Sequence, residues 1–301
     1  MQRDSILRLR FVENLVRDVR YAIRQLRRSP GFALLAMTCL GLGVGVNTTM
    51  FGVLNSVLLR PMAVADSDRL VMVGRGETAT FSHPAYRDFQ ARSRALAGLA
   101  ASCPMESDLD VDGESEFVAA EVVSANYAEV LGVRASLGHW FVQDAEPEAV
   151  ISYALWERRF NLSPQVLGRL IRSESQSYTI VGVAPPEFVG VFAPFRTDIW
   201  VPIRTRPTFV AQLEDRGRQW LMLFGRLKAD TTALQASAEL NTIDMQLMAE
   251  QGAPSKTSSP IVAEHVRGIP APANRSQSRT ISTLLAAVVA LVLMIACVNV
   301  S

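Results

Sequence analysis

The sequence is poor in the residues that usually hold nucleotides and metals. It has only two lysines, Lys228 and Lys256, and neither follows the glycine that a phosphate-binding loop requires. Its three histidines, His83, His139 and His265, lie far apart and lack the spacing of paired metal ligands. We therefore predict no catalytic residue, no cofactor-binding residue and no metal ligand in this chain.

Cysteine is also scarce. Of the three cysteines, Cys39 and Cys297 lie in long apolar runs, which leaves Cys103 alone between them. A disulfide within that middle region is excluded, and we expect Cys103 to behave as a small hydrophobic residue. The serine elbow of α/β-hydrolases and the paired-histidine motif of metalloproteases are missing as well. The sequence therefore gives an envelope enzyme less support than any other class of function.

Charge is absent from two long stretches of the chain. Residues 31–59 form a run of 29 residues without a charged side chain, and residues 280–301 form a second run of 22. A helix needs about 20 apolar residues to cross the hydrocarbon core of a bilayer. The sequence therefore predicts two transmembrane helices, at 30–60 and 280–301.

The distribution of arginine predicts the orientation of these helices. Residues 1–30 carry eight arginines against three acidic residues, and such an excess beside a first span favours the cytoplasmic side. Residues 61–279 are then extracytoplasmic. The net charge of the whole chain is only +1, which gives no indication of nucleic-acid binding. We expect a protein of the cell (inner) membrane with a cytoplasmic N-terminus.

Residues 12–28 have apolar side chains at helical spacing and arginines mostly on the rest of the surface. This pattern is typical of a basic amphipathic helix that lies against lipid headgroups, although a solvated tail is the alternative. The residues predicted to contact the membrane surface or a cytoplasmic partner are Arg17, Arg20, Arg24, Arg27 and Arg28.

The first predicted span contains small and polar residues that favour helix packing. Gly41 and Gly45 have the spacing that lets another helix backbone approach closely, and Asn47 would prefer a protein neighbour to lipid. We predict that these three residues pack against another transmembrane helix.

The middle region alternates helical and extended patterns, which predicts an α+β fold with two subdomains. The predicted helices are 84–95, 126–131, 153–160 and 231–250. The predicted strands are 116–124, 149–152, 169–172, 178–183, 198–203, 220–227 and 261–266. The predicted domains are 1–29 (basic helix), 30–60 (first span), 61–267 (extracytoplasmic core), 268–279 (linker) and 280–301 (second span).

Acidic residues cluster before and after a predicted turn at residues 111–113. The cluster comprises Glu106, Asp108, Asp110, Asp112 and Glu114. Paired acids can bind calcium or perform acid/base chemistry, but no calcium-binding loop of known type is present. We interpret the cluster as the solvated edge of a hairpin.

An ordered series of short motifs resembles one protein family along almost the whole chain. The motifs are residues 18–32 (DVRYAIRQLRRSPGF), 124–127 (SANY), 130–133 (VLGV), 151–160 (ISYALWERRF), 178–188 (YTIVGVAPPEF), 200–202 (WVP) and 225–228 (GRLK). The series resembles the MacB-like permease subunits of ABC transporters, within the FtsX-like superfamily. The loop at 173–177 departs from the usual Asn-Gly type of turn of that family.

The resemblance implies that the protein transmits movement and does not catalyse a covalent step. A separate cytoplasmic ATPase subunit would bind ATP, the permease would form a homodimer, and further membrane helices would follow residue 301. The chain itself would then couple that ATPase to an extracytoplasmic domain for export or envelope processes. The alternative is a membrane-anchored binding or sensor domain without transport activity.

Overall fold

The computed structural model describes residues 64–76, 80–174, 176–191, 196–251 and 259–266, together with isolated helical positions between residues 24 and 48. The chain divides into two compact units. One comprises Met1–Asn55 with Gln277–Ser301, and the other comprises Ser56–Ser276. The second unit contains every strand described below.

Strands outnumber helices in the described part of the second unit. They are β1 (Leu70–Arg75), β2 (Thr80–Phe81), β3 (Leu96–Val111), β4 (Glu114–Val123), β5 (Leu137–Gly138), β6 (Glu148–Ile151), β7 (Leu170–Ser173), β8 (Gln176–Val183), β9 (Ile199–Pro202), β10 (Leu221–Leu227) and β11 (Ile261–His265). The α-helices are α1 (His83–Arg92), α2 (Tyr127–Leu131), α3 (Tyr153–Phe160), α4 (Pro207–Val210) and α5 (Ala233–Glu250). The mixed α+β fold predicted from the sequence is confirmed.

Within the described residues, all eleven strands belong to one sheet. Its main order is β11, β1, β10, β3, β4, β9, β6, β8 and β5, with β2 beside β10. Because β7 pairs with both β3 and β8, the strands β3, β4, β9, β6, β8 and β7 close into a ring, which we call the barrel. The strands β11, β1 and β10 continue from β3 as an open half. The two parts share β3, so one continuous sheet runs through both.

The closing seam of the barrel is short and contains a buried arginine. Strand β7 pairs with β3 at only two positions, Leu109 with Ser173 and Asp110 with Arg172. Beside them, the fully buried Arg206 donates from Nη2 to Glu174 Oε1 (2.7 Å) and from Nε to Glu174 Oε2 (3.0 Å). A bidentate arginine and carboxylate pair is among the stronger polar contacts in proteins.

Two serines extend the contacts of Arg206 across the seam. Arg206 Nη2 donates to Ser107 Oγ on β3 (2.8 Å), and that hydroxyl lies 2.6 Å from Ser173 Oγ on β7. Both serines are buried, so each needs a hydrogen-bond partner. The network therefore joins the two strands that meet at the seam.

Helix α5 covers the free edge of the open half. Asn241 accepts from Ile261 N (2.8 Å) and donates from Nδ2 to Ile261 O (2.7 Å), while Ala263 N donates to Ser237 Oγ (2.8 Å). An uncovered edge strand presents unpaired backbone groups to other chains. The helix side chains of Asn241 and Ser237 satisfy those groups on β11.

Local capping explains where the principal helices begin. Thr232 and Gln235 form a reciprocal capping box at the start of α5, and Ser152 Oγ accepts from Leu155 N at the start of α3. Ser82 caps α1, and its side chain accepts from Ala85 N. Helix α1 ends at Arg92 rather than at residue 95, because Glu239 of α5 accepts the amides of the residues that follow.

Strand β1 and the first half of β3 were not predicted. The beginning of β3 lacks alternation because small residues pack on both faces, and Ala100 and Ala101 are both fully buried. A strand buried on both faces cannot be recognised by a period of two. The first half of β3 is recognised as a strand only through its pairing with β10 and β4.

Candidate functional site

The chain enters and leaves the sheet at neighbouring points. Strand β1 is antiparallel to β11, with Val71 opposite His265, and Val266 N donates to Leu70 O (3.1 Å). Adjacent strands lie about 5 Å apart. The segments that lead to the two predicted spans are therefore attached side by side on the sheet, and we consider this junction the candidate functional site.

A single arginine binds the segment by which the chain enters. We call residues 64–69 the entry segment. Arg226, on β10, donates from Nη2 to Ala65 O (2.8 Å), from Nη1 to Asp66 O (3.3 Å) and from Nε to Val130 O in α2 (2.6 Å). The planar guanidinium has five donors in a fixed fork, which suits three acceptors at once. Arg226 thereby joins the entry segment, α2 and β10.

A second arginine makes the reciprocal contact. Arg69, at the end of a 3-10 turn (Ser67–Arg69), donates from Nε (3.0 Å) and Nη2 (2.6 Å) to Leu227 O on β10. Thus Arg226 of β10 binds carbonyls of the entry segment, and Arg69 of the entry segment binds a carbonyl of β10. We call this pair of arginines with their carbonyl partners the entry clamp.

Glycine is required where the entry segment meets α2. Gly132 ends α2 with a φ of 68°, a conformation that other residues rarely adopt. A Cβ at this position would lie 2.7 Å from the Cβ of Ala65. The close approach of the entry segment to α2 therefore depends on Gly132.

The entry clamp carries positive charge against neutral acceptors. Partial burial lowers the pKa of Arg226, and the nearby charge of Asp66 acts in the opposite direction. An arginine still stays protonated at physiological pH because its ordinary pKa is so high. Since the acceptors of Arg226 are backbone carbonyls, its contacts do not require a particular side chain at residue 65, 66 or 130.

Most of the residues predicted from the sequence as sites lie outside the described residues. These are Asn47, Arg17, Arg20, Arg27 and Arg28. Gly41, Gly45 and Arg24 are in helical conformation and exposed.

In the part of the chain that the structure describes, no helix has the length and hydrophobicity to cross a bilayer. The predicted spans at 30–60 and 280–301 lie largely or wholly outside that part.

The acidic cluster forms a hairpin, as the sequence predicted. Its turn follows β3 at Val111. Three of its acids, and the neighbouring Glu116 on β4, pair with arginines of α3, of β7 and of the residue before β7. The ion pairs are Asp110 with Arg172 (3.8 Å), Asp112 with Arg169, Glu114 with Arg159 (2.8 Å), and Glu116 with Arg159 (3.2 Å) and Arg158 (3.6 Å). Among the described residues, no group of three or more metal-binding side chains is found. The paired acids therefore link the hairpin to α3 and β7 through ion pairs at the protein surface.

A buried carboxylate on the barrel wall was missed in the sequence. Glu121 on β4 is fully buried and accepts from Trp200 Nε1 (2.8 Å), Tyr127 OH (3.0 Å) and Thr197 Oγ1 (3.4 Å). Burial raises the pKa of Glu121, and these hydrogen bonds act in the opposite direction. A charged residue within the apolar run FVAAEVV was the available signal.

The surroundings of Glu121 are aromatic. Phe188 stacks on Trp200 with ring centroids 5.4 Å apart, and Tyr127 and Trp140 complete the cluster. Tyr127 belongs to α2, the same helix whose Val130 accepts from Arg226. The site at the entry segment and the barrel wall are therefore connected through one short helix.

A pocket of about 190 Å³ lies at the beginning of α3. It is lined by Ser152, Tyr153, Ala154, Arg158, Pro186, Phe188, Val189, Arg196, Thr197 and Asp198. Arg158 is paired with Asp198 at 2.9 Å, which reduces its availability to a ligand.

Cys103 lies outside this pocket and is half-buried, and burial raises the pKa of its thiol to about 11. A reactive thiolate is therefore disfavoured there.

The fold is shared with solved structures of other proteins. A domain assigned to a permease protein of Porphyromonas gingivalis is similar with a TM-score of 0.53 and 15% identity, over 68% of this chain and 94% of that chain. The periplasmic region of MacB from Actinobacillus actinomycetemcomitans is similar with a TM-score of 0.50 and 11% identity, over 66% of this chain and 89% of that chain. No curated protein sequence matches.

A family model establishes the relationship that the motifs indicated. The model described as the MacB-like periplasmic core domain matches residues 33–243, which is more than half of the chain. This family is the extracytoplasmic domain of ABC-type transporter permeases, which are membrane proteins. The chain belongs to the MacB-like periplasmic core domain family.

Proposed function

We propose that this chain is a permease or mechanotransmission subunit that couples a separate cytoplasmic ATPase to its extracytoplasmic domain, for export or for an envelope process. The family match over residues 33–243 carries this proposal. The side-by-side attachment of β1 and β11 supports it, because two helices leading from that junction would act on the same part of the sheet.

The mechanism is a displacement rather than a covalent step. The ATPase closes on ATP, the predicted spans shift, and the junction between β1 and β11 moves with them. Rigid elements can carry such a two-state change across a bilayer. Strand β1 lies between β11 and β10, so a displacement of β1 acts on strands on both of its sides.

The proposal includes three partners. The cytoplasmic ATPase subunit binds ATP, and membrane lipid contacts the basic residues Arg17, Arg20, Arg24, Arg27 and Arg28. A second copy of the permease packs through Gly41 and Gly45. Nucleic acid is not among the partners, which is consistent with the net charge of +1.

The test is to purify the native full-length product from membranes and identify co-purifying proteins by mass spectrometry. We expect an ABC-type ATPase subunit at a fixed ratio to the permease, with ATP hydrolysis by the complex. The control is the same purification from cells that carry the untagged gene. A permease that is recovered intact without an ATPase would overturn the proposal and favour a membrane-anchored binding or sensor domain.

A further inference from the structure

We propose that Arg226 is the coupling residue of this domain: its guanidinium transmits displacement of the entry segment to α2 and, through α2, to the barrel wall. The inference rests on the proposed function, because it concerns how movement received from the membrane spreads within the domain. It assigns a positioning role to one side chain that the family resemblance does not specify.

The contacts of Arg226 define the first step. Its three acceptors belong to two segments far apart in sequence, Ala65 and Asp66 in the entry segment and Val130 in α2. Its own backbone is paired with Leu70, the first residue of β1. When the entry segment moves, the guanidinium must either move α2 with it or lose hydrogen bonds.

Helix α2 provides the second step. Val130 accepts from Arg226 at one end of the helix, and Tyr127 donates to Glu121 (3.0 Å) at the other. Tyr127, Val130 and Leu131 are buried, so the helix is held by packing and moves as a unit. Displacement of Val130 therefore changes the position of the Tyr127 hydroxyl relative to Glu121 on β4.

The residue type matters at this position. Lysine has one ammonium group on a flexible stem, whereas arginine presents a rigid fork of donors. A lysine at 226 could satisfy one carbonyl but could not span acceptors on two segments. Gly132 contributes separately, because its missing Cβ allows Ala65 to lie against the end of α2.

The first experiment tests the entry clamp. It measures hydrogen exchange of the full chain in lipid nanodiscs. We compare wild type with R226Q, R226K and the matched control R134Q, which changes an exposed arginine close to Gly132. We expect exchange in residues 64–69 and 127–133 to accelerate about ten-fold or more in R226Q, as the loss of hydrogen bonds predicts. R226K should be intermediate and R134Q unchanged. Equal exchange in R226Q and wild type would overturn the proposal.

The second experiment examines transmission in the purified complex of the full-length permease with its ATPase. In the wild type, ATP should alter exchange both in the entry segment and in residues 127–133. In R226Q, ATP should be hydrolysed and should alter the entry segment only. A response of α2 that survives in R226Q would overturn the coupling role even if the clamp is real.

Failure of the proposed function gives a different result. If no ATPase co-purifies, or if ATP alters neither segment in the wild type, both the permease mechanism and transmission by Arg226 are overturned. The nanodisc experiment would still report whether Arg226 holds the entry segment, because it requires no ATPase. A variant that fails to fold is recognised by rapid exchange throughout β6 and β8 as well, and R226K then provides the comparison.

Discussion

The barrel and the open half of the sheet protect their edges in different ways. In the barrel, β7 pairs with β3, and the buried contact between Arg206 and Glu174 stabilises that seam. The open half leaves β11 at the edge and covers it with Asn241 and Ser237 of α5. The same physical problem, unpaired backbone groups on an edge strand, is thus solved once by strand pairing and once by helix side chains.

This contrast indicates which part of the domain is suited to move. At the seam, Arg206 is fully buried and faces a carboxylate, so separation would leave a buried charge unpaired. At the entry clamp, Arg226 is half-buried and faces carbonyls, which water can replace at small cost. The seam is therefore built to stay closed, whereas the entry clamp can be displaced together with α2 without leaving a buried charge unpaired.

The largest expected effect comes from breaking the seam. Arg206→Ala removes both hydrogen bonds to Glu174 and the bond to Ser107, and we expect a loss of roughly 2 to 4 kcal/mol in unfolding free energy. Chemical denaturation of the chain in detergent measures it. The control is Arg172→Gln, whose side chain is exposed at the same seam. Similar losses in the two variants would show that burial of Arg206 does not strengthen the seam.

The next effect concerns the covered edge. Asn241→Ala removes the two hydrogen bonds to Ile261, and we expect a loss of about 1 to 2 kcal/mol in unfolding free energy together with a greater tendency to self-associate. Denaturation and light scattering measure the two results. Thr242→Ala changes the adjacent exposed residue of α5 and should have little effect on either. If Asn241→Ala behaves like this control, α5 does not protect β11.

A smaller effect, dependent on pH, is expected at the barrel wall. Burial raises the pKa of Glu121, so the folded domain retains this proton to a higher pH than the unfolded chain does. Stability then decreases as pH rises from the ordinary carboxyl pKa towards the raised one. Glu121→Gln cannot ionise and should escape that decrease.

Unfolding measured between about pH 4 and about pH 8 tests this, since the range begins near the ordinary pKa of a glutamate. The unfolding free energy of Glu121→Gln relative to wild type should increase with pH. Glu129→Gln alters an exposed carboxylate of α2 and provides the control. A difference that is constant with pH would show that the Glu121 carboxyl has the same pKa in the folded and unfolded chain.

The smallest effect is expected at the acidic hairpin. Arg169→Gln removes the exposed ion pair with Asp112, and we expect a change of less than about 0.5 kcal/mol. Measurement in low and high salt should show that even this change disappears as the charges are screened. If Arg169→Gln lowered the unfolding free energy as much as Arg206→Ala, the exposed ion pairs near the seam would stabilise the fold as much as its buried contacts do.

The sequence predicted the helices better than the strands. Helix α3 was predicted at its observed bounds, because Ser152 caps its start and its apolar residues recur at helical spacing. The first half of β3 was missed, since a strand of small residues buried on both faces has no alternation. The end of α1 was predicted too late because Glu239, distant in sequence, accepts the amides after it.

The candidate site was only partly accessible to sequence reasoning. Arg226 lay in a recognised motif, but its acceptors are backbone carbonyls and leave no trace in the choice of residues. Glu121 has only its apolar flanking residues as a signal in the sequence, and Arg206 has none. Their burial depends on Tyr127 and Trp200 in one case and on Ser107 and Glu174 in the other.

The sequence alone was sufficient to predict the α+β class, the position of the principal helices, the acidic hairpin and the motifs that place the chain in its family. These features depend on local periodicity, capping and residue order, which act between near neighbours. The closure of the barrel, the cover over β11, the ion pairs of the hairpin and the entry clamp became visible only in the folded chain. Each of these joins residues that are distant along the chain, and hydrogen bonds to backbone groups impose no pattern on the partner's sequence.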